Sequence, residues 1–140
     1  MIFFILNIYY IAFLKNNIMD ITSLKNADLE NRLIRFSRSA VFLKEYMENT
    51  VSGREFYKRI IQSVSDIGAC YVRAREPDGV SFYLDNLQGG VRAFQEAVYW
   101  LRLIRETNAL WGNVHIKFLM RECQELQGIF KIMLEEAKAA

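Results

Sequence analysis

Four stretches of the chain carry the same narrow apolar repeat, and this repeat constrains the fold more than any other feature of the sequence. In the first, Leu29, Leu33, Phe36, Ala40, Leu43 and Met47 recur at alternating steps of four and three. The second repeats the spacing with Tyr57, Ile60, Val64, Ile67, Tyr71 and Ala74, and the third with Val80, Leu84, Leu87, Val91, Phe94, Val98 and Leu101. The fourth has Ile116, Leu119, Cys123, Leu126, Phe130, Met133 and Ala137. At 3.6 residues per turn, each set falls on one stripe of a helix. Stripes this narrow favour helix axes crossing at about 20°. The expected fold is therefore all-α, an antiparallel up-down-up-down four-helix bundle. No stretch alternates with period two over a useful length, so no sheet is expected.

The breaks between stripes are short, which forces neighbouring helices to run antiparallel. Asn49-Thr50-Val51 separates the first two. A capping box, Ser52-Gly53-Arg54-Glu55, is expected to start the second helix, its hydroxyl and carboxylate each taking an unpaired backbone N–H. Glu76-Pro77-Asp78-Gly79 holds the only proline, which cannot continue a helix and restricts the residue before it. Thr107 to Asn113 forms the last break, with Gly112 as terminator and Asn113 as N-cap of the fourth helix. Gly68, Gly89 and Gly90 lie inside helical stretches, each at a cost of about 1 kcal/mol relative to alanine. Close approach of two backbones is the expected reason, with a kink or a ligand notch as the alternatives.

The bundle is expected to occupy residues 27–140, preceded by an extension over residues 1–26. The run Met1 to Leu14 is apolar, but crossing a bilayer takes about 20 residues. It also lacks the basic start and small-residue cleavage site of a signal peptide. Met19 is a candidate natural start, which would leave residues 1–18 outside the fold. No membrane association is expected, and the location is read as cytoplasmic.

With 52% apolar residues in 140, one domain can bury a core without disulfides or metal. Cys70 and Cys123 lack the neighbours that zinc or iron–sulfur ligation needs, and both read as small buried hydrophobes. His115, the only histidine, falls in the first turn of the fourth helix as a solvated residue. Glu122 with Glu125, and Glu135 with Glu136, lie opposite or beside the core stripe and read as solvated faces. No phosphate loop, nucleophile elbow or HExxH pattern is present. The chain is expected to act by binding, without catalysis, metal, cofactor or small-molecule substrate.

Two surface features bear on what it binds. Arg32, Arg35 and Arg38 recur at steps of three, and Arg54, Lys58 and Arg59 cluster on the second helix, forming a candidate nucleic-acid-binding patch. The net charge is only +2 and acidic residues are interleaved, so an ordinary charged surface is the competing reading. Further apolar residues flank the stripes. Ile34, Val41, Phe42, Tyr99, Trp100 and Leu103 are the candidate oligomer interface, with Ile104, Phe118 and Ile129 beside them.

Three segments resemble one family. Ser63-Val64-Ser65-Asp66-Ile67-Gly68-Ala69-Cys70-Tyr71, Glu96-Ala97-Val98-Tyr99-Trp100-Leu101-Arg102-Leu103-Ile104 and Arg121-Glu122-Cys123-Gln124-Glu125-Leu126 are similar, in order and spacing, to segments of the bacterial four-helix bundle proteins associated with intervening sequences of 23S ribosomal RNA genes. The resemblance covers about residues 27–138. Gln62, Cys70, Arg73 and Ala93 depart from it, standing where the family commonly has arginine, asparagine, glutamate and glutamate. The resemblance implies a homopentamer with no established enzymatic activity and a link to ribosomal RNA or ribosomes. The expectation is a homo-oligomeric bundle that binds RNA or a ribonucleoprotein. The alternative is a protein–protein adaptor without nucleic acid, akin to the accessory proteins of reverse transcriptases.

Overall fold

The computed structural model describes residues 18–139, with side chains from residue 26 onward. The expectation that residues 1–18 stand apart from the fold falls almost wholly outside the described residues. The chain is all-α, a four-helix bundle, with no strand among the described residues. α1 spans Ile18–Phe42, α2 Val51–Ala74, α3 Val80–Thr107 and α4 Val114–Ala139. With 24 to 28 residues each, the helices are about 36–42 Å long at 1.5 Å per residue.

Two compact units divide the chain, one ending at Ile34 and the other running from Arg35 to Ala140. The first holds the N-terminal part of α1, which begins at Ile18 rather than after residue 26. Within it, Leu29 and Leu33 are buried, as their stripe requires, and Ile34 is exposed. The second unit holds the rest of α1 and the other three helices.

In that second unit each helix contributes one aromatic ring to a continuous chain of contacts. Phe36 of α1 lies 6.1 Å from Phe94 of α3, and Phe94 meets Phe130 of α4 edge to face at 5.2 Å and 89°. Phe130 in turn lies 6.4 Å from Tyr71 of α2. The three phenylalanines have no exposed surface. Edge-to-face pairs of this kind add about 0.5–1.5 kcal/mol beyond the area they bury. Most stripe residues are buried around this chain, including Ala40, Leu43, Ile60, Ile67, Leu87, Leu101, Ile116, Leu119, Cys123 and Leu126. Met47, Tyr57, Leu84, Val98, Met133 and Ala137 are half-buried, and Val80, the first residue of α3, is 66% exposed. Ile104 is fully buried, so it belongs to the core rather than to a second apolar face.

Cross-helix contacts fix the direction of each pair. Between α2 and α3, Arg73 donates to Asn86 at 3.0 Å, a Cβ on Gly89 would meet the Cys70 thiol, and Arg59 lies over Trp100. One number rises as the other falls, so the two helices are antiparallel. Between α3 and α4, Gly90 abuts Phe130, and Gln127 donates to the Val91 carbonyl at 3.2 Å.

Three details of the breaks differ from expectation. The last turn of the first helical stretch tightens into a 3-10 turn over Leu43–Tyr46, and Met47 is extended. The Val41 carbonyl, freed near the end of α1, accepts a hydrogen bond from the Tyr57 hydroxyl at 2.9 Å. α2 starts at Val51, and its N-cap is Thr50 rather than Ser52, with the Thr50 hydroxyl accepting from the Gly53 N–H at 3.0 Å. Glu55 is thereby released from any capping role and pairs with Arg59 one turn on, at 3.0 Å. Gly53, which donates to this cap, also sits where a Cβ would collide with the Glu48 carbonyl.

At the last break Asn113 caps α4 as expected, accepting from the Ile116 N–H at 3.1 Å. Gly112 does not end α3. The helix ends at Asn108 and Ala109, where Ala109 takes a left-handed φ of 52° and the Leu110 N–H reaches back to the Arg105 carbonyl at 2.9 Å. Of the helical glycines, Gly89 and Gly90 face side chains of neighbouring helices, the Cys70 thiol and the Phe130 ring, rather than the second backbone that was expected, whereas a Cβ on Gly68 would meet nothing within 4 Å.

Candidate functional site

An open cleft of about 430 Å³ lies along the seam between α2 and α3, lined by Arg59, Gln62, Ser63, Gln95, Glu96, Tyr99 and Trp100. Its position follows from the helical repeat. Ile60, Val64 and Ile67 of α2, and Val91, Phe94 and Leu101 of α3, turn inward and are buried. Their neighbours at 59, 62, 63, 95, 96, 99 and 100 therefore flank the seam between the two helices. Ser63, only 2% exposed, forms the deepest polar surface among these residues.

The aromatic wall has a definite construction. Trp100 is half-buried, held between Phe56 of α2 at 6.2 Å and Tyr99 at 5.0 Å in an edge-to-face contact. Tyr99 is 60% exposed. The Arg59 guanidinium lies over the indole at 5.9 Å, at the outer limit of a cation–π contact, while its Nε donates to Glu55. Both partners of that ion pair are about half exposed, so it is worth only about 0.5 kcal/mol and serves chiefly to orient the side chain. Gln62 donates to Asp66 one turn away at 3.1 Å. One face thus offers a cation, a carboxylate, two carboxamides, a hydroxyl and two aromatic rings, a set suited to holding a flat, polar ligand.

The basic residues picked out by spacing are less concentrated. Arg32 is half-buried and belongs to the first unit. Arg35 and Arg38 are exposed on the part of α1 in the second unit. On α2, Arg54 donates to Asn49 at 2.9 Å, and Lys58 is exposed one turn further on. Only Arg59 of the six lines the cleft.

The flanking apolar residues divide as well. Ile34, Val41 and Phe42 are 58%, 54% and 46% exposed, whereas Trp100 and Leu103 are half-buried. Others went unnoticed because each stands alone in sequence: Tyr46, Val51, Trp111 and Val114 are all exposed. They lie in or beside the α1–α2 and α3–α4 connections, which touch where the Glu48 N–H donates to Asn108 and the Tyr46 ring lies 5.2 Å from that of His115.

His115 is half-buried rather than solvated, with Nδ1 at 3.5 Å from the Ser39 hydroxyl. At that distance the contact lies at the outer limit of a hydrogen bond. Glu122 is buried, in contrast to the solvated face expected of it. Cys70 and Cys123 are buried free thiols, and burial pushes the Cys123 thiol up to about 12, with the neighbouring Glu122 adding to the effect. Among the described residues, no group of three or more His, Cys, Asp or Glu is arranged to hold a metal ion. No described helix is long and apolar enough to cross a membrane.

No family model, curated protein or solved structure matches the chain. The cleft nevertheless draws on two of the three segments that carry the resemblance described above: Ser63 comes from one, and Glu96, Tyr99 and Trp100 from the other. Gln62, a departure from that family's pattern, lines it too. Gln95 and Glu96 had no periodic signal of their own; only the resemblance pointed to Glu96.

Proposed function

We propose that this chain is a non-enzymatic, homo-oligomeric bundle that binds single-stranded RNA or a ribonucleoprotein through the α2–α3 cleft. The observation that carries the reading is the aromatic wall, in which exposed Tyr99 and half-buried Trp100 stand beside the Arg59 guanidinium. Unpaired bases stack on aromatic and guanidinium planes, and each such stack contributes about 1–3 kcal/mol. Lys58 and Arg54 extend the positive charge along α2 toward the backbone phosphates of a bound strand.

A net charge of +2 gives one protomer little hold on a polyanion. Assembly changes this, because a ring repeats each weak contact once per subunit and raises avidity by roughly 10² to 10⁴. Exposed Val41 and Phe42 supply apolar surface for that assembly. A pentamer is the state implied by the family resemblance.

The test combines sedimentation with RNA binding at several salt concentrations. The full chain should sediment as an oligomer, and Val41→Glu with Phe42→Glu should dissociate it and weaken RNA retention. Replacing Arg54 and Lys58 by Gln should preserve assembly while flattening the salt dependence of binding. An oligomer that ignores RNA even at low salt would refute the nucleic-acid reading. Exposed Phe42, Tyr46, Val51, Trp111 and Val114, in or beside the α1–α2 and α3–α4 connections, favour a second reading, an adaptor that docks another protein. A partner recovered equally well after nuclease treatment would favour it.

A further inference from the structure

We infer that the α2–α3 cleft is a single-nucleobase site that selects guanine, an inference that rests on the RNA reading above and narrows it to one base. The cleft's volume of about 430 Å³ lies within the range of roughly 300–1,000 Å³ typical of ligand pockets, enough for one purine. Trp100, braced by Phe56 and Tyr99, offers a ring face already held in place, so a base can stack without first ordering the indole.

The choice among bases follows from the two opposite charges that line the cleft, the Glu96 carboxylate and the Arg59 guanidinium. A carboxylate only accepts hydrogen bonds and a guanidinium only donates them. Guanine alone among the four bases presents two adjacent donors, N1–H and N2–H, to a carboxylate, together with two acceptors, O6 and N7, to a guanidinium. Adenine would set the N1 lone pair against the carboxylate. Uracil has one N–H flanked by two carbonyl oxygens that the carboxylate repels. Cytosine offers its amine beside an acceptor nitrogen. Arg59 uses Nε for Glu55, which leaves recognition to its terminal amino groups. Gln62, oriented by Asp66, and Gln95 add carboxamides at the rim that suit the sugar and the remaining base edge.

The experiment uses the full chain and four labelled oligouridine RNAs that differ only in one central base, G, A, C or U, read by fluorescence anisotropy at low salt. The guanine-containing strand should bind about tenfold or more tightly than the other three, the discrimination that a well-placed bidentate contact provides. Glu96→Gln, at an exposed position where the fold has little at stake, should collapse that ratio toward one, with unchanged circular dichroism melts as the control. Equal affinity for all four strands would overturn the guanine inference while leaving RNA binding standing. A ratio that survives Glu96→Gln would overturn it also, since the carboxylate would then not be the reader. If none of the four strands binds, the RNA reading fails and this inference falls with it.

Discussion

Replacing Gly90 by alanine tests the packing of the bundle where it is tightest. A Cβ built on Gly90 would lie 2.5 Å from Cε2 and 2.7 Å from Cδ2 of Phe130, closer than carbon atoms approach without something moving. Phe130 has little room to move, being fully buried with the Phe94 ring at 5.2 Å and the Tyr71 ring at 6.4 Å. Overpacking a filled core costs about 1–3 kcal/mol. Against this, alanine in a helix interior gains about 1 kcal/mol over glycine. The expected balance is a net loss of about 1 kcal/mol or more. Gly68→Ala provides the reference, because a Cβ there meets nothing within 4 Å and only the helical gain remains. Urea unfolding of both variants should therefore move the midpoint in opposite directions. A third arm, Gly90→Ala combined with Phe130→Leu, should show a coupling on the order of 1 kcal/mol, because the smaller side chain relieves the collision. If Gly90→Ala stabilised the protein as much as Gly68→Ala, the close approach of α3 and α4 would be wrong.

Phe94→Ala removes the ring that links Phe36 to Phe130 and should cost about 3–5 kcal/mol, with Leu126→Ala costing about 2–5 kcal/mol, both measured by thermal or chemical melts. Ala109→Gly should stabilise by about 1 kcal/mol, because glycine takes the left-handed φ of 52° without the Cβ penalty; an unchanged melt would mean that the turn ending α3 is not left-handed. The Cys123 thiol titrates near 9.0 when unfolded and near 12 when folded, so the stability of its neutral form is fully present below pH 9 and is lost as pH rises toward 12. Over that window stability should fall by about 1.4 kcal/mol per pH unit beyond the decline seen in a Cys123→Ala variant, and native Cys123 should resist alkylation until the chain unfolds. Tyr57 and Tyr83, raised from 10.0 first of all by burial, contribute with the same sign as pH rises past 10.0, and they do so in both proteins.

The division between what sequence and fold each decide is visible at particular residues. Periodicity alone marked Leu33, Phe36, Ile60, Ile67, Leu87, Phe94, Leu119, Leu126 and Phe130 as inward-facing, because a residue's angular position on a helix is a local property that its neighbours cannot change. Pro77 and Asn113 marked breaks for the same reason, one lacking an N–H and the other offering an oxygen to a helix start. What lies opposite a residue is not local. Two hydroxyls two residues apart were both able to cap α2, and the Glu48 carbonyl pressing on Gly53 accompanies the choice of Thr50. Gly68 and Gly90 look alike in sequence, yet only Gly90 has a phenylalanine from another helix against it. Ile104 and Tyr99 both sit in the third stretch beside the stripe, but one is sealed by neighbouring helices and the other stands 60% exposed at a cleft. The cleft itself joins residues of α2 and α3 more than thirty positions apart, and no single helix encodes it. A helical repeat says which face turns inward; only the pairing of two helices decides whether the edge of that face is closed by a side chain or left open to a ligand.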